Sequence, residues 1–250
     1  MRTSTNHVFT VGLFSGMLLV GVLLAKETVG LETGAKAPGA PLALSELNVK
    51  LPAPSLKGTL SVEEAIKHRR TIRSFADRPL TLAQLSQLLW AAQGITDDAH
   101  GFKRAVPSAG ATYPIEIYVA CGEQSVKGLA AGVWRFSASE HSISKVKPED
   151  QRAELARDSV SQMWAAAAPV TFAIVCEYSR TAGKYGERAA KYVHYEAGNV
   201  SQNVFLQCEA LGLSAGIIGA FNDDEVSAAL GLPKAFEPLL LMPVGYKKSE

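Results

Sequence analysis

SVEEAIKHRRTIRSF, residues 61–75, carries the most informative pattern in this chain. Ser61 is followed three residues later by Glu64, a capping-box pattern which predicts that a short helix begins here. The helix runs into HRRTIR at 68–73, where three guanidinium groups and a threonine hydroxyl lie within five residues. Guanidinium is a planar, permanently charged fork suited to phosphate oxygens and polarised carbonyls. A solvated basic surface is the alternative interpretation of this stretch.

Composition places the chain among ordinary globular proteins. It has 250 residues, of which 47% are hydrophobic and 20% charged. The net charge of +1 gives no reason to expect nucleic acid as a partner. Residues 58–250 are long enough to bury a sizeable core, and we predict that they form one domain.

The N-terminal residues differ from the rest in kind. Arg2 and His7 precede the uncharged run VFTVGLFSGMLLVGVLLA at 8–25. This pattern predicts that residues 1–25 are a signal peptide or a membrane anchor, which the sequence does not distinguish. We therefore expect an exported protein, periplasmic or attached to the membrane through residues 8–25 and facing outside the cytoplasm. Residues 26–57, rich in glycine and proline, are predicted to be a linker or a strap along the domain.

Hydrophobic periodicity predicts alternating helices and strands. Thr81 and Gln84 form a second capping box, before a leucine stripe that ends at Gly94. Alternation predicts a strand at 115–120, and the apolar run 169–176 is typical of a buried strand. Further elements are predicted as a hairpin of 132–136 with 142–146, a long helix at about 187–211, a short strand at 213–218, a helix from Asn222 to Gly231 and a last strand at 237–244. No strict βαβ rhythm is present, so we predict an α+β fold.

Several chemistries have no motif here. The sequence contains no G-x-G-x-x-G after a strand, no P-loop, no HExxH and no CxxC, and we predict no metal site. Cys121, Cys176 and Cys208 lie in apolar runs and are expected to behave as small buried hydrophobes. A disulfide between Cys121 and Cys176 on neighbouring strands stays open at this point.

Four segments together resemble one family. HRRTIRSF at 68–75 resembles the R-R-S-x-R-x-F opening of the flavin-dependent nitroreductase superfamily, and RAVPSAGATYPIEIYVA at 104–120 resembles its P-S-x-x-N-x-Q-P segment. The segments 196–221 and 230–247 resemble its E-A-G-x-x-x-Q-N helix and its closing strand. PSAGATYP, LLWAAQGIT at 88–96 and the tail PLLLMPVGY are similar to the SagB-type dehydrogenase branch. That branch includes enzymes that oxidise azolines to azoles in ribosomal peptide pathways.

The resemblance implies a fold and a cofactor. The fold would be α+β, a nitroreductase-like mixed, mostly antiparallel sheet flanked by helices, in an intertwined homodimer that binds FMN at the subunit interface. Matched position by position, the residues that meet the phosphate, the ribityl chain and the flavin pyrimidine edge are Arg69, Arg70, Thr71 and Arg73. Arg69 is assigned to the phosphate. Arg73 is assigned to N1 and O2, where a cation stabilises the anionic reduced flavin.

The resemblance assigns further flavin contacts. The residues that reach the flavin from the partner subunit are Ser108, Ala109 and Gly110. Gly219 and Ala220 fall where the family places a backbone N–H near flavin N5, and Lys247 where the tail reaches the phosphate. The family's usual Asn, Gln and Glu are replaced by Ala111, Tyr113 and Gly219. Because of these departures, the substrate preference of the classical nitroreductases is not transferred to this chain.

Lys191 and Tyr192 are the candidate catalytic pair. In the azoline-oxidising enzymes a Lys-Tyr pair near this position is associated with substrate deprotonation. A desolvated lysine could take a proton while the flavin takes a hydride. In the alternative interpretation the helix's tyrosines pack beside it while its cations face solvent, the residues being Tyr185, Tyr192 and Tyr195 with Lys184, Arg188 and Lys191.

The predicted function is an FMN-dependent oxidoreductase that carries out two-electron, ping-pong hydride transfer on a small organic substrate. An azoline-to-azole peptide dehydrogenase is one alternative, and a non-catalytic flavin-binding accessory protein at the membrane is another. Outside the cytoplasm NADH and NADPH are not freely available. NAD(P)H as the electron donor is therefore left open, and a dehydrogenase that passes electrons to oxygen or a quinone fits that compartment better.

Overall fold

The computed structural model describes residues 47–97, 99 and 103–248. The chain divides into two units, residues 1–40 and 41–250, and every described residue belongs to the second. The predicted signal peptide or anchor at 1–25 and the first part of the linker or strap lie outside the described residues. In the part that is described, no helix has the length and apolarity needed to cross a membrane.

Eleven strands and six α-helices make up the described part of the chain. The strands are β1 (Asn48–Lys50), β2 (Leu80–Thr81), β3 (Ile95–Asp97), β4 (Lys103–Arg104), β5 (Ile115–Cys121), β6 (Val126–Lys127), β7 (Gly132–Ser137), β8 (Ser142–Lys147), β9 (Val170–Cys176), β10 (Ser214–Ala215) and β11 (Glu237–Gly245). The helices are α1 (Val62–His68), α2 (Leu82–Gln93), α3 (Arg152–Asp158), α4 (Tyr178–Tyr185), α5 (Ala189–Ala210) and α6 (Asp223–Leu230). Short 3-10 turns lie at Ala109–Ala111, Met163–Ala167 and Gly186–Arg188.

One seven-stranded sheet organises the domain. Its strand order is β1-β8-β7-β5-β9-β11-β10, and each neighbouring pair is antiparallel. Parallel pairing among the described residues occurs between β2 and β6 and at the single bridge from Thr71 to Ala215 of β10. The predicted fold class, α+β with a mostly antiparallel sheet and flanking helices, is confirmed.

The two faces of the sheet carry separate apolar cores. Strand β9 is buried along its whole length because strands flank it on both sides and helices cover both faces. Ile115 and Ile117 of β5 pack with residues of α2 and α5, including Val204. Tyr118 lies on the opposite face with Leu155 of α3 and residues of α6. The alternation of β5 is therefore used to bury apolar side chains on both faces rather than to expose one.

Local signals place several helix ends. Ser61 Oγ accepts a hydrogen bond from the Glu64 N–H at 3.1 Å, and the Glu64 carboxylate accepts one from the Ser61 N–H at 3.0 Å. The Thr81 box at the start of α2 has the same reciprocal bonds. Gly231 ends α6 in the left-handed conformation, with φ 67°, which glycine adopts without steric cost. The predicted starts of α1, α2 and α6 are confirmed.

Three features add to or differ from the sequence predictions. Within 26–57, predicted to be a linker or a strap along the domain, β1 pairs with β8 through Val49 and Ile143. The predicted strand at 213–218 is reduced to β10 and one bridge of Ile218 to Leu241. Helix α4 was not predicted, and its sequence, YSRTAGKY, contains a glycine and is mostly polar.

The structure excludes the disulfide between Cys121 and Cys176 that the sequence left open. The register of β5 and β9 pairs Cys121 with Val170 and Ile115 with Cys176, so the two cysteines lie at opposite ends of the strand pair. At about 3.4 Å per residue, six residues separate them by about 20 Å along the strands, far beyond disulfide reach. All three cysteines are free and buried.

Candidate functional site

The arginines of the opening motif lie on an extended segment at the edge of the sheet. Residues 69–75, called here the basic segment, follow α1 and run beside β10, where the Ile72 N–H donates to the Ala215 carbonyl at 2.9 Å. On the other side Phe75 forms an antiparallel bridge with Lys247. The C-terminal tail therefore lies directly against the basic segment, as the assignment of both to one phosphate site requires.

The cations of the basic segment form no ion pair with any residue that the structure describes. The Arg69 guanidinium lies over the Phe205 ring at 5.1 Å, and that of Arg73 lies over the Trp164 ring at 5.8 Å. Arg70 donates to the carbonyls of Lys67 and Arg69 at 2.9 and 2.8 Å. No ion pair among the described residues includes these arginines or Lys247. Unpaired guanidinium groups with backbone or ring support are suited to bind an anion such as a phosphate.

Gly219 and Ala220 lie at the same edge. Ile218 is paired with Leu241 by backbone hydrogen bonds of 2.8 and 2.9 Å, which fixes the chain immediately before them. Both residues are exposed, so their backbone faces solvent. Trp164 connects this region to the basic segment, since its ring stacks on Phe75 with centroids 6.4 Å apart. We call this group the edge cluster; it comprises Arg69, Arg70, Thr71, Arg73, Trp164, Gly219, Ala220 and Lys247.

Ser108, Ala109 and Gly110 lie on a strained loop elsewhere on the molecule. This loop, residues 107–114 before β5, has left-handed backbone at Gly110, Ala111 and Tyr113, with φ of 61°, 55° and 46°. For a residue other than glycine this conformation costs about 1–3 kcal/mol and persists only where the surroundings hold it. The strain therefore requires contacts that fix the loop.

Helix α4 supplies several of those contacts. The Arg180 guanidinium donates to the Tyr113 carbonyl at 3.1 Å, and Lys184 Nζ donates to the Gly110 carbonyl at 3.3 Å. The hydroxyls of Thr112 and Thr181 are 2.9 Å apart. Helix α4, which sequence reasoning missed, thus supports the loop through three side-chain contacts.

A buried polar chain holds the loop from the other side. Glu196 on α5 is 3% exposed and accepts a hydrogen bond from Gln93 Nε2 at 3.3 Å. Gln93 Oε1 in turn accepts from Arg104 at 3.3 Å, and the Arg104 guanidinium lies over the Tyr113 ring at 4.5 Å. Burial raises the pKa of Glu196, and burial also lowers the pKa of Arg104. Sequence reasoning missed this chain; its signal is a lone carboxylate on the apolar face of a long helix.

The candidate catalytic pair lies beside the same loop. Tyr192 stacks edge-to-face on Tyr185 with centroids 4.9 Å apart, and its hydroxyl accepts from Arg188 at 3.0 Å. Lys191 is exposed and its Nζ lies 5.8 Å from the Tyr195 ring centroid. The catalytic role requires a desolvated lysine, but within one chain Lys191 is solvated. The exposed cations agree with the alternative interpretation. The catalytic role of the pair stays a prediction.

The predicted site residues thus form two groups. Among the described residues, no hydrogen bond, ion pair or ring contact joins the edge cluster to loop 107–114 and the Lys191–Tyr192 pair. The resemblance assigns Ser108, Ala109 and Gly110 to the flavin of the partner subunit. Two groups that do not meet within one chain are compatible with that assignment.

An antiparallel sheet flanked by helices, with a cluster of cations at its edge that have no acidic partner among the described residues, is the arrangement of a protein that binds an anionic ligand. The model of the Nitroreductase family matches residues 66–246, and the chain belongs to this family. Its members are flavin oxidoreductases, so the chain is an oxidoreductase of that kind.

Individual relatives agree with this assignment. A Methanocaldococcus jannaschii protein named as a nitroreductase is 44% identical over 188 residues, which cover 75% of this chain and 92% of the relative. The trifolitoxin-processing protein of Rhizobium leguminosarum bv. trifolii is 28% identical over 115 residues, covering 44% of this chain and 31% of that protein. A crystal structure from Ralstonia eutropha, also described as a nitroreductase, superimposes with a TM-score of 0.70 at 25% identity and covers 84% of this chain and 93% of that one.

Proposed function

We propose that this protein is an FMN-dependent oxidoreductase that transfers two electrons to or from a small organic substrate by a ping-pong reaction. The observation that carries the proposal is the set of cations on the basic segment and Lys247, which have no acidic partner among the residues that the structure describes. FMN, when bound, supplies hydride chemistry at N5 of its ring. The protein's own residues bind and orient the cofactor and handle protons.

The residues of the edge cluster fit FMN by the chemistry of their donors. Arg69 and Lys247 would hold the phosphate, since each offers a positive charge without an acidic partner among the described residues. Arg70 and Thr71 would contact the ribityl chain. Arg73, kept in place by Trp164, would face N1 and O2, where it favours the anionic reduced ring.

The rest of the cofactor site would come from two further segments. Gly219 and Ala220 would offer backbone N–H groups to N5 from an exposed stretch of chain. Ser108, Ala109 and Gly110 would come from the partner subunit of a homodimer. The dimer is part of the proposal, and the strained, firmly held loop that carries these three residues supports it, because strain of this kind is concentrated at functional sites.

A peptide-oxidising activity of the SagB type is the second candidate. The similarity to a trifolitoxin-processing protein favours it, together with the Lys191–Tyr192 pair beside the loop. Covering by a partner subunit would desolvate Lys191 and allow it to take a proton from the substrate. A cyclodehydratase gene beside the gene of this protein would support this candidate.

We also propose that the domain lies outside the cytoplasm, because residues 1–25 have the pattern of a signal peptide or anchor. In that compartment the reductant is an organic substrate rather than NAD(P)H, and the acceptor is oxygen or a quinone. Cell fractionation that finds the protein in the cytoplasm would remove the reason for this choice.

The first experiment is an absorbance spectrum of the purified protein, followed by anaerobic addition of NADPH. We expect a yellow, FMN-containing protein that keeps its colour, because its donor is not a nicotinamide. Bleaching by NADPH would make the protein a nicotinamide-driven reductase. FMN that photoreduces but accepts electrons from no donor would favour the accessory protein. A colourless protein that takes up no added FMN would refute the proposed function.

A further inference from the structure

The ladder between β5 and β7 ends before the two strands do. Its last residue pair is Tyr118 with Arg135, although β5 begins at Ile115 and β7 continues to Ser137. On their outer sides, β5 stays paired with β9 as far as Ile115, and β7 stays paired with β8 as far as Ser137. The inner edges of the two strands therefore diverge within the sheet. Alternate residues of an antiparallel strand direct their N–H and C=O groups to each side, so these edges present backbone donors and acceptors that no register pair of the described strands uses.

A cavity of about 270 Å³ lies in this gap. Residues from both faces of the sheet line it. Ile117 and Phe136 belong to the core with α2 and α5, whereas Glu116 shares the face of Tyr118 by strand alternation. We call this cavity the strand slot. Its volume is below the range of about 300–1,000 Å³ found for sites of drug-sized ligands, so it suits a smaller molecule.

The guanidinium of Arg104 lines the strand slot in a fixed orientation. Its Nη1 donates to Gln93 Oε1 at 3.3 Å, and its carbon lies 4.5 Å from the centroid of the Tyr113 ring. Gln93 in turn donates to Glu196, so a neutral amide stands between Arg104 and that acid. No ion pair among the described residues includes Arg104. Since a guanidinium has five N–H donors, most of those on Arg104 are available to a ligand.

The carboxylate that lines the strand slot is already shared by two other cations. Glu116 Oε2 accepts from Arg135 at 3.1 Å, and its Oε1 accepts from Arg180 at 2.6 Å. Burial is the largest influence on Arg104 and lowers its pKa, against the charges of Glu116 and Glu196. A carboxylate in direct contact with Arg104 would therefore stabilise a charge that is partly desolvated.

We propose that the strand slot binds a small 2-hydroxy carboxylic acid, with its carboxylate on Arg104 and a short apolar side chain against Ile117 and Phe136. The planar fork of Arg104 matches the two oxygens of a carboxylate. The backbone edges of the slot are partners for the hydroxyl group. An ammonium group in place of the hydroxyl would face the guanidinium of Arg135 as well as that of Arg104, so a 2-amino acid fits less well. The slot is complete within one chain and needs no flavin, so this inference does not rest on the proposed function.

The test is isothermal titration of the purified full-length protein with 2-hydroxy-4-methylpentanoate. The amide of this acid keeps the shape and removes the charge, and leucine replaces the hydroxyl by an ammonium group. Arg104→Gln removes the guanidinium. Ser139→Trp blocks the slot from an exposed turn between β7 and β8, where a large side chain does not disturb the core. The matched control is Arg157→Gln, an exposed arginine that is not part of the slot lining.

We expect the hydroxy acid to bind the wild type and Arg157→Gln equally, and its amide and leucine to bind about tenfold or more weakly. Arg104→Gln and Ser139→Trp should each weaken binding of the acid by about tenfold or more. If circular dichroism shows that Arg104→Gln does not fold, Ser139→Trp decides the question.

Three results would overturn the proposal. They are a wild type that binds no hydroxy acid at about 10 mM, equal affinity for the acid and its amide, and unchanged affinity in Ser139→Trp. Acid that binds at the edge cluster instead would give the last of these, since neither slot variant touches that cluster. A wild-type protein that binds no FMN would refute the proposed function and would leave these titrations unaffected.

Discussion

Gly216 offers a direct test of how the edge cluster is packed. An alanine Cβ at this position would lie 2.6 and 2.7 Å from two carbons of the Trp164 ring and 2.9 Å from the Ile72 carbonyl oxygen. Non-bonded carbon atoms normally stay about 3.5–4.0 Å apart, so something must move. The Ile72 carbonyl belongs to the basic segment, which its N–H ties to Ala215, and the Gly216 N–H is bound to Pro243. The Trp164 ring is the group that can move.

Overpacking of this kind costs about 1–3 kcal/mol. For a domain of this size 1 kcal/mol corresponds to about 2–4 °C, so Gly216→Ala should melt about 2–12 °C below the wild type. Because the Trp164 ring supports Arg73, FMN binding should weaken as well. Melting followed by circular dichroism and an FMN titration measure the two effects.

The control is Gly183→Ala in α4, where nothing lies within 4 Å of the added Cβ. In a helix the change from glycine to alanine should stabilise the folded protein by about 0.5–1 kcal/mol. If Gly216→Ala has the same melting temperature as the wild type and binds FMN as tightly, Trp164 does not constrain the basic segment. The account of the edge cluster is then wrong.

Two further predictions concern single side chains. Arg73→Ala should weaken FMN binding or lower the reduction potential of the flavin, since the cation that favours the anionic reduced ring is removed. Unchanged flavin content and an unchanged reduction potential would show that Arg73 does not have this role. Burial raises the pKa of the thiols of Cys121 and Cys176 to about 12 and that of Cys208 further. At about pH 8 these thiols should react with an aromatic disulfide reagent only after unfolding, and fast reaction in the native protein would contradict the burial.

The elements predicted from sequence are those whose causes are local. The Ser61 and Thr81 capping boxes place helix starts through contacts within four residues, and the apolar run of β9 needs burial on both faces wherever it lies. Helix α4 has no such signal, because Glu177 makes no side-chain cap and Gly183 lowers its intrinsic propensity. It forms because Thr181 and its neighbours pack on the loop and on α5.

The candidate site likewise contains one part that a local sequence motif predicts and one part that depends on tertiary packing. The basic segment is continuous in sequence, so a motif identifies it. The polar chain that leads from Glu196 through Gln93 and Arg104 to the Tyr113 ring joins residues from α5, α2 and β4 that are far apart in sequence. Their proximity is a result of tertiary packing. A pattern search identifies Glu196 only as a charged residue within a helical motif. The structure shows that it is buried and hydrogen-bonded to Gln93.

The position of β1 determines how the domain can be tethered. β1 and β10 are the two outer strands of the sheet, six strand spacings apart, about 29 Å at the usual distance between strands. Whatever precedes residue 47 in the chain is joined covalently at the β1 margin, while the edge cluster lies at the β10 margin. The first described residues of the chain and its cationic cluster thus lie at opposite margins of one sheet, so the strand that follows the N-terminal segment takes no part in the predicted phosphate site.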